Sequence, residues 1–477
     1  MIRLCLPVCV AVCCACSAEP LPAGHYSITT GQETDTYSLE PAPVTYTVSS
    51  LSSTESNATV TQVETSSQPI TTIEIPATGT NWYWLKGEDA DGSRRVQATS
   101  FAISGVTAAG YQYPLFAGRT DAFCRPPGEF VTAQGDHPPT GLVWGRYLWA
   151  LGGSSDTSMA TDSYDLIGWG ESSPQTTDNS FSTLTCPEQP CKFESFAAYS
   201  YYDSTTIYQF GLGIGADWAI SLNVYDGTSQ SVTAPTKGFT SWAEIAGGRT
   251  LTTDSGDVYV VGATRSSAES SAVLEISAAT GNQLAGRALN ATRMGAAATY
   301  IENIGLVVIG GNATEPDVEI LAPAGSTFTK LTYPADPDGV QGAALVAANS
   351  ASSNIVWRIG GRKADGTPAP SVAYDLACAQ ECVSQPLTGR DLDVPTATGF
   401  FYKENRIVVG EQADGTMVAW RITDTDTTPI LQRRPRRSAS AVQLPNGFVA
   451  LVGGTLLVDG SDAGNGGDAL SLELVAL

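Results

Sequence analysis

MGAAATYIENIGLVVIGG, residues 294–311, reads as a strand, a tight turn and a second strand that ends in two glycines. Its first half is small and Ala-rich. Its second half, 305–309, is an unbroken apolar run, the pattern of a strand covered on both faces rather than one. The closing glycines reach φ > 0 and let another backbone approach closely. TATGFFYKENRIVVG (396–410) and SASAVQLPNGFVALVGG (438–454) have the same layout. A third strand follows each, as in VEILAPAGSTF (318–328), VAWRITDTDT (418–427) and LSLELVAL (470–477).

The pattern extends over most of the chain. Apolar runs end in glycine at Gly153, Gly213, Gly262, Gly311, Gly361, Gly410 and Gly454, with spacings of 60, 49, 49, 50, 49 and 44 residues. Strand, turn, strand-Gly-Gly, strand, at a period near 50, is the signature of a β-propeller blade. The repeat resembles kelch repeats, which carry the double glycine after the second strand and often an Arg just before the first. Arg293 and Arg437 match that Arg. Gly262 and Gly410 lack the second glycine, and most repeats lack the downstream Tyr…Trp pair of the family. The resemblance covers about 140–477 and implies an all-β, seven-bladed propeller within 111–477, with six blades and a degenerate repeat as the alternative. The chain ends at a third strand. Ring closure therefore calls for a strand from 111–133, in YQYPLFAG or GEFVTA, which would protect both sheet edges.

Before the repeats, VTYTV (44–48), VTQVE (60–64), ITTIEI (70–75), WYWL (82–85) and VQATSFAI (96–103) alternate as short strands. They predict a small β-sandwich-like domain over 44–110, loosely similar to fibronectin type III-like modules. Residues 17–43 read as a linker or stalk.

The first residues give an address. MIRLCLPVCVAVCCACSA (1–18) has one cation, Arg3, then an apolar run and small residues, the layout of a secretory signal peptide over 1–16. Ala15-Cys16-Ser17 resembles a bacterial lipoprotein cleavage box, which would make Cys16 the lipidated residue and place the protein on the outer membrane or cell surface. Ordinary cleavage near Ser17 or Ala18 would release it to the periplasm or the exterior. No later run is long enough to span a bilayer, so the membrane enters only through such an anchor. In an oxidising compartment Cys186 with Cys191, and Cys378 with Cys382, are expected as two local disulfides, leaving Cys124 over.

Candidate chemistry is sparse. Asp and Glu outnumber Lys and Arg 48 to 25, a net charge of −23, which excludes nucleic acid as a partner class. Histidine occurs only at His25 and His137, too few for the two imidazoles of a copper radical oxidase or for a Ser/His hydrolase. TDSGDVY (253–259) approaches a sialidase box but has no Trp, and reads as a β-turn. DGSDAGNGGD (459–468) carries Asp459, Asp462, Asn465 and Asp468, oxygen donors for calcium or a plain polar loop. RRPRR (433–437) is the one basic cluster, a candidate anionic docking point or a connector braced by Arg437.

Two functions fit. One is an exported, monomeric scaffold that binds a protein or glycan without a cofactor. The other is a carboxylate-based, polysaccharide-active enzyme, a glycosidase or lyase, on the same scaffold.

Overall fold

The structure is a computed structural model that describes residues 24–52, 59–76, 79–101, 103–104, 110–130, 139–144, 146–151, 159–167, strand segments between 181 and 277, most of 283–458, and 461–462 and 472–477. Among the described residues every regular element is a strand. Six four-stranded antiparallel sheets follow one another along the chain, at 140–184, 194–231, 249–288, 297–332, 344–386 and 396–429. In each, the four strands pair in chain order. A seventh sheet joins Ser440–Gln443, Phe448–Val452 and Glu473–Ala476.

The apolar second strands are explained by how the sheets stack. In Gly305–Ile309, Leu306 and Val308 enter a core shared with Tyr259 and Val261 of the third sheet. Val307 and Ile309 point the other way, into a core with Leu345, Val356 and Tyr374 of the fifth. With neighbours on both faces, the strand has no position left for a polar residue. The same division recurs at Asn405–Glu411. There Val408 packs with Val346 and Ile359 of the fifth sheet, while Ile407 and Val409 pack with Val449 and Leu451 of the seventh. Phe448, Ala450 and Val452 then meet Leu148, Ala150 and Tyr164 of the first sheet, some 300 residues away in sequence.

The first strands lie side by side, from Thr140–Trp144 through Glu194–Ser200, Arg249–Thr252, Ala297–Ile301 and Ala344–Ala347 to Thr396–Tyr402. Ser440–Gln443 adjoins Thr140–Trp144 and, through Gln443 Nε2 donating to the Phe401 carbonyl at 3.0 Å, also reaches Thr396–Tyr402. The sheets remain separate, stacked face to face, in an arrangement compatible with a propeller-like β fold.

At the seam Cys124 N–H donates to the Leu474 carbonyl and Leu474 N–H returns the bond to Cys124, both at 2.8 Å. The two residues form an isolated antiparallel bridge, and Ala122 pairs with Leu431 beside it. The segment that meets the last strand is thus AFC, 122–124, which lies between the two stretches named from sequence. Of those, Gln112–Phe116 instead runs parallel to His25–Thr29 in a three-stranded sheet. Cys124 carries a free, fully buried thiol, pushed up to about 11 by desolvation.

The N-terminal residues form that three-stranded sheet and a six-stranded one built on Thr45–Leu51 and Thr80–Glu88. Tyr26, Tyr46, Ile73, Leu85, Val96 and Leu115 from both sheets share one core. His25–Thr29 lies inside the stretch read as a stalk. Its alternating pattern puts Tyr26 into the core, with Ile28 packed against it.

Beneath the glycine pairs lie buried arginines. Arg293 sits against Glu319 at 2.7 Å and donates to the Gly310 carbonyl at 3.0 Å. Arg436 repeats this with Glu473 at 2.8 Å and the Gly453 carbonyl at 3.0 Å, and all four side chains are fully buried. The repeat-bracing Arg of the last sheet is therefore Arg436, not Arg437, which is partly exposed about 4.0 Å from Asp414. Arg293 and Arg436 each stand 17 residues before the glycine they contact.

Removing one member of a buried pair strands the other charge, so Arg436→Ala should cost about 3–5 kcal/mol. Arg436→Leu with Glu473→Leu should cost clearly less, because neither charge is then left behind. Urea denaturation of both variants checks this. The Cys124 thiol should resist iodoacetamide at pH 8 in the native protein and label only in denaturant, because the neutral form dominates until about pH 11. A labelled intact mass at pH 8 without denaturant would contradict it.

Candidate functional site

The first strands surround a cavity of about 530 Å³. Six of them line it, from Thr140–Trp144 to Ser440–Gln443. Its polar wall consists mainly of threonines, Thr140, Thr250, Thr252, Thr299 and Thr398, joined by Tyr300 and Gln443, with Leu142, Val346 and Phe401 between them. This composition follows from the fold. First strands crowd together, so they carry small or β-branched residues. Thr combines the branched shape that suits a strand with a hydroxyl for the cavity.

The hydroxyl of Thr250 is buried and has no hydrogen-bond partner within the protein. A buried polar atom left unpaired costs about 1–3 kcal/mol, a cost the fold carries beside the cavity.

One end of the cavity continues into a second space of about 290 Å³, which shares Thr140, Thr398 and Ala441 with it. Here Glu411, the last residue of Asn405–Glu411, reaches the wall beside Ser440 and Met417. Burial raises its carboxyl above the ordinary range. Among the described lining residues of the two spaces it is the one carboxylate. A single carboxyl of this kind can donate or accept a hydrogen bond from a ligand, whereas a glycosidic acid/base mechanism needs a second one opposite.

The residues singled out from sequence lie elsewhere. Asp462 falls in the two-residue strand Ser461–Asp462, paired with Leu457 in a small three-stranded sheet that Arg436–Arg437 completes, apart from the last sheet. Asp459, Asn465 and Asp468 lie outside the described residues, as do Cys16, Cys186 and Cys191, so the calcium and lipidation expectations rest on sequence. Among the described residues no group of three or more His, Cys, Asp or Glu converges as metal ligands. Cys378 and Cys382 form the expected disulfide, with Cα atoms 5.8 Å apart, in the turn between the third and fourth strands of the fifth sheet. His25 begins the N-terminal strand, remote in sequence from any lining residue. In TDSGDVY, Thr253 N–H donates to the Asp257 carbonyl at 2.8 Å, the closing bond of a strand turn, and 254–256 lie outside the described residues.

RRPRR has three different structural duties. Arg433 pairs with Asp35 at 2.8 Å and stands 3.7 Å from Glu33, binding the N-terminal unit to the last sheet. Arg436 is the buried brace, and Arg437 caps the neighbouring turn near Asp414.

Because burial disfavours the charged form of Glu411, its folded pKa exceeds its unfolded one. Its contribution to stability is complete at acid pH and is lost as pH rises through its folded titration range. Glu411→Gln should remove that loss. The difference in melting temperature, variant minus wild type, should therefore grow from acid to neutral pH. A constant difference across that range would show that the carboxyl is not desolvated. No protein-family model and no characterised protein matches this chain, so its site is interpreted from its own residues.

Proposed function

We propose that the chain is an exported, kelch-like propeller of seven blades whose axial cavity binds a neutral, hydroxyl-rich ligand, a glycan chain being the fitting class. The observation that carries this is the cavity wall. Five threonine hydroxyls, a glutamine amide and a tyrosine offer donors and acceptors without charge. Phe401 and Tyr300 add aromatic surface on which the apolar faces of sugar rings can lie. Binding sites of this kind combine apolar walls with a few placed polar groups.

The seven glycine-ended repeats, the sheet-to-sheet cores and the Cys124–Leu474 bridge support seven blades closed by the entry segment. Export rests on the N-terminal signal pattern and is compatible with the Cys378–Cys382 disulfide. A glycosidase or lyase remains a second reading because Glu411, a carboxyl with a raised pKa, stands at the mouth of the cavity.

The test is a melt of the mature protein with a panel of neutral oligosaccharides. A ligand at a hundred times its Kd adds about 2.7 kcal/mol to stability, which a melt resolves. Thr250→Trp should fill the cavity and abolish the shift while leaving the ligand-free melt close to wild type. No shift with any saccharide, or a shift that Thr250→Trp leaves intact, would remove the cavity as the site. Reducing-end release that disappears in Glu411→Gln would establish the enzyme instead.

A further inference from the structure

A third space, of about 250 Å³, lies at the junction between the N-terminal unit and the sixth sheet. Arg94 and Arg95 enter it from one side, Asn405 and Arg421 from the other, and Thr120 and Asp121 come from the connecting segment. Thr120 is held to the N-terminal unit, with its hydroxyl donating to the Arg94 carbonyl at 2.7 Å and its N–H to the Arg95 carbonyl at 3.0 Å. Its own carbonyl accepts from Arg421 Nη2 at 2.5 Å and from Nε at 3.2 Å. The pocket is therefore built on backbone fixed from both sides.

Its charges do not balance. Asp121 accepts from Arg119 Nε and Nη2, both at 2.7 Å, and stands 3.5 Å from Arg95. Arg95 gives its Nε to Asp89 at 2.6 Å. Two carboxylates are thus engaged by Arg95 and Arg119. Arg421 meets only neutral acceptors: the Thr120 carbonyl, the Ala476 carbonyl at 2.9 Å and Asn405 Oδ1 at 2.9 Å. A guanidinium has five N–H donors, and these four bonds leave one on Nη1, beside Asn405. Among these groups the three guanidiniums of Arg95, Arg119 and Arg421 meet two carboxylates, Asp89 and Asp121, and the hydrogen bonds of Arg421 go to neutral acceptors. Desolvation, with Arg94 and Arg95 as like charges and Asp121 opposing them, lowers the Arg421 pKa to about 10.

We infer that this junction pocket binds a small anionic group, a carboxylate, sulfate or phosphate ester on a body no larger than one sugar ring. The N–H left on Arg421 Nη1 and the Nη2 N–H groups of Arg95 can each donate to one oxygen of such a group. The site is separate from the axial cavity and does not depend on a ligand there. Because Arg95 belongs to the N-terminal unit and Arg421 to the sixth sheet, an occupant would clamp the two together.

Glucuronate, glucose 6-phosphate and inorganic sulfate should be titrated calorimetrically at low, matched ionic strength, with glucose as the neutral control. Saturable binding of at least one anion, with none of glucose, is expected; which anion binds identifies the source of the charge. Asn405→Asp places a carboxylate against Arg421 Nη1 without removing any brace, and should weaken binding at least about tenfold. Arg421→Gln should do the same, and a melt close to wild type for Asn405→Asp separates lost binding from lost fold. Binding of no anion above matched chloride, or affinity unchanged in a folded Asn405→Asp protein, would overturn the assignment.

Discussion

Gly311 N–H donates to the carbonyl of Val340 at 2.9 Å, and the face-to-face stacking of the repeated sheets depends on bonds of this kind. Each joins the end of one sheet's second strand to the backbone that enters the next sheet. Gly361 repeats the bond on Val394 at 2.9 Å. Such an approach leaves no room for a side chain. A Cβ on Gly310 would run into the Val340 carbonyl, and one on Gly311 would lie 2.8 Å from the Arg293 carbonyl oxygen. Both residues also hold φ near +80°, at 79° and 81°. Once the backbones meet, the faces of adjoining sheets come close enough to share a core, and the second strands must be apolar throughout. The buried Arg below completes the junction by holding the first glycine's carbonyl, which would otherwise be a buried acceptor.

This explains which parts of the architecture could be read in advance. Glycine pairs and unbroken apolar runs are local, and each is demanded by one junction, so the repeat is visible in the sequence. The closing segment is different. Its pairing with the last strand is one bridge at Cys124, too short to leave an alternating pattern of its own. The pull of YQYPLFAG as a strand was real, but the parallel partner it takes is His25–Thr29, across 80-odd residues of sequence. Arg437 looked like the bracing residue because it directly precedes the first strand. The spacing of 17 to the contacted glycine, common to Arg293 and Arg436, is the better signal, and only the contact itself reveals that it matters.

The cavity was not legible for a related reason. Six first strands, widely separated in sequence, contribute two to four residues apiece, and none of these residues is unusual on its own strand. Thr250 in RTLT and Glu411 after IVVG read as ordinary strand positions; it is their places on the walls of two adjoining spaces that give them chemistry. The acidic stretch at 459–468 had the opposite character, conspicuous in composition, and of its oxygen donors the described residues include only Asp462, which is not among the cavity lining.

Charge was legible in total but not in use. Nineteen of the 25 cations are Arg, and the structure supplies a physical reason. Arg293 and Arg436 must reach a carboxylate and a glycine carbonyl at once, from a fully buried position. Arg119 must satisfy Asp121 together with the carbonyls of Thr36, Leu39 and Pro41. A planar fork with five donors spans such divergent acceptors, while an ammonium presents three donors from one point. Arg406 and Arg390 extend the same logic to aromatic faces, lying 4.3 Å and 4.9 Å from the Trp357 ring. The cations of this acidic protein are thus largely committed to internal junctions, where their side chains join strands, turns and the N-terminal unit. Arg421 is built into a junction in the same way, with all four of its hydrogen bonds on neutral acceptors.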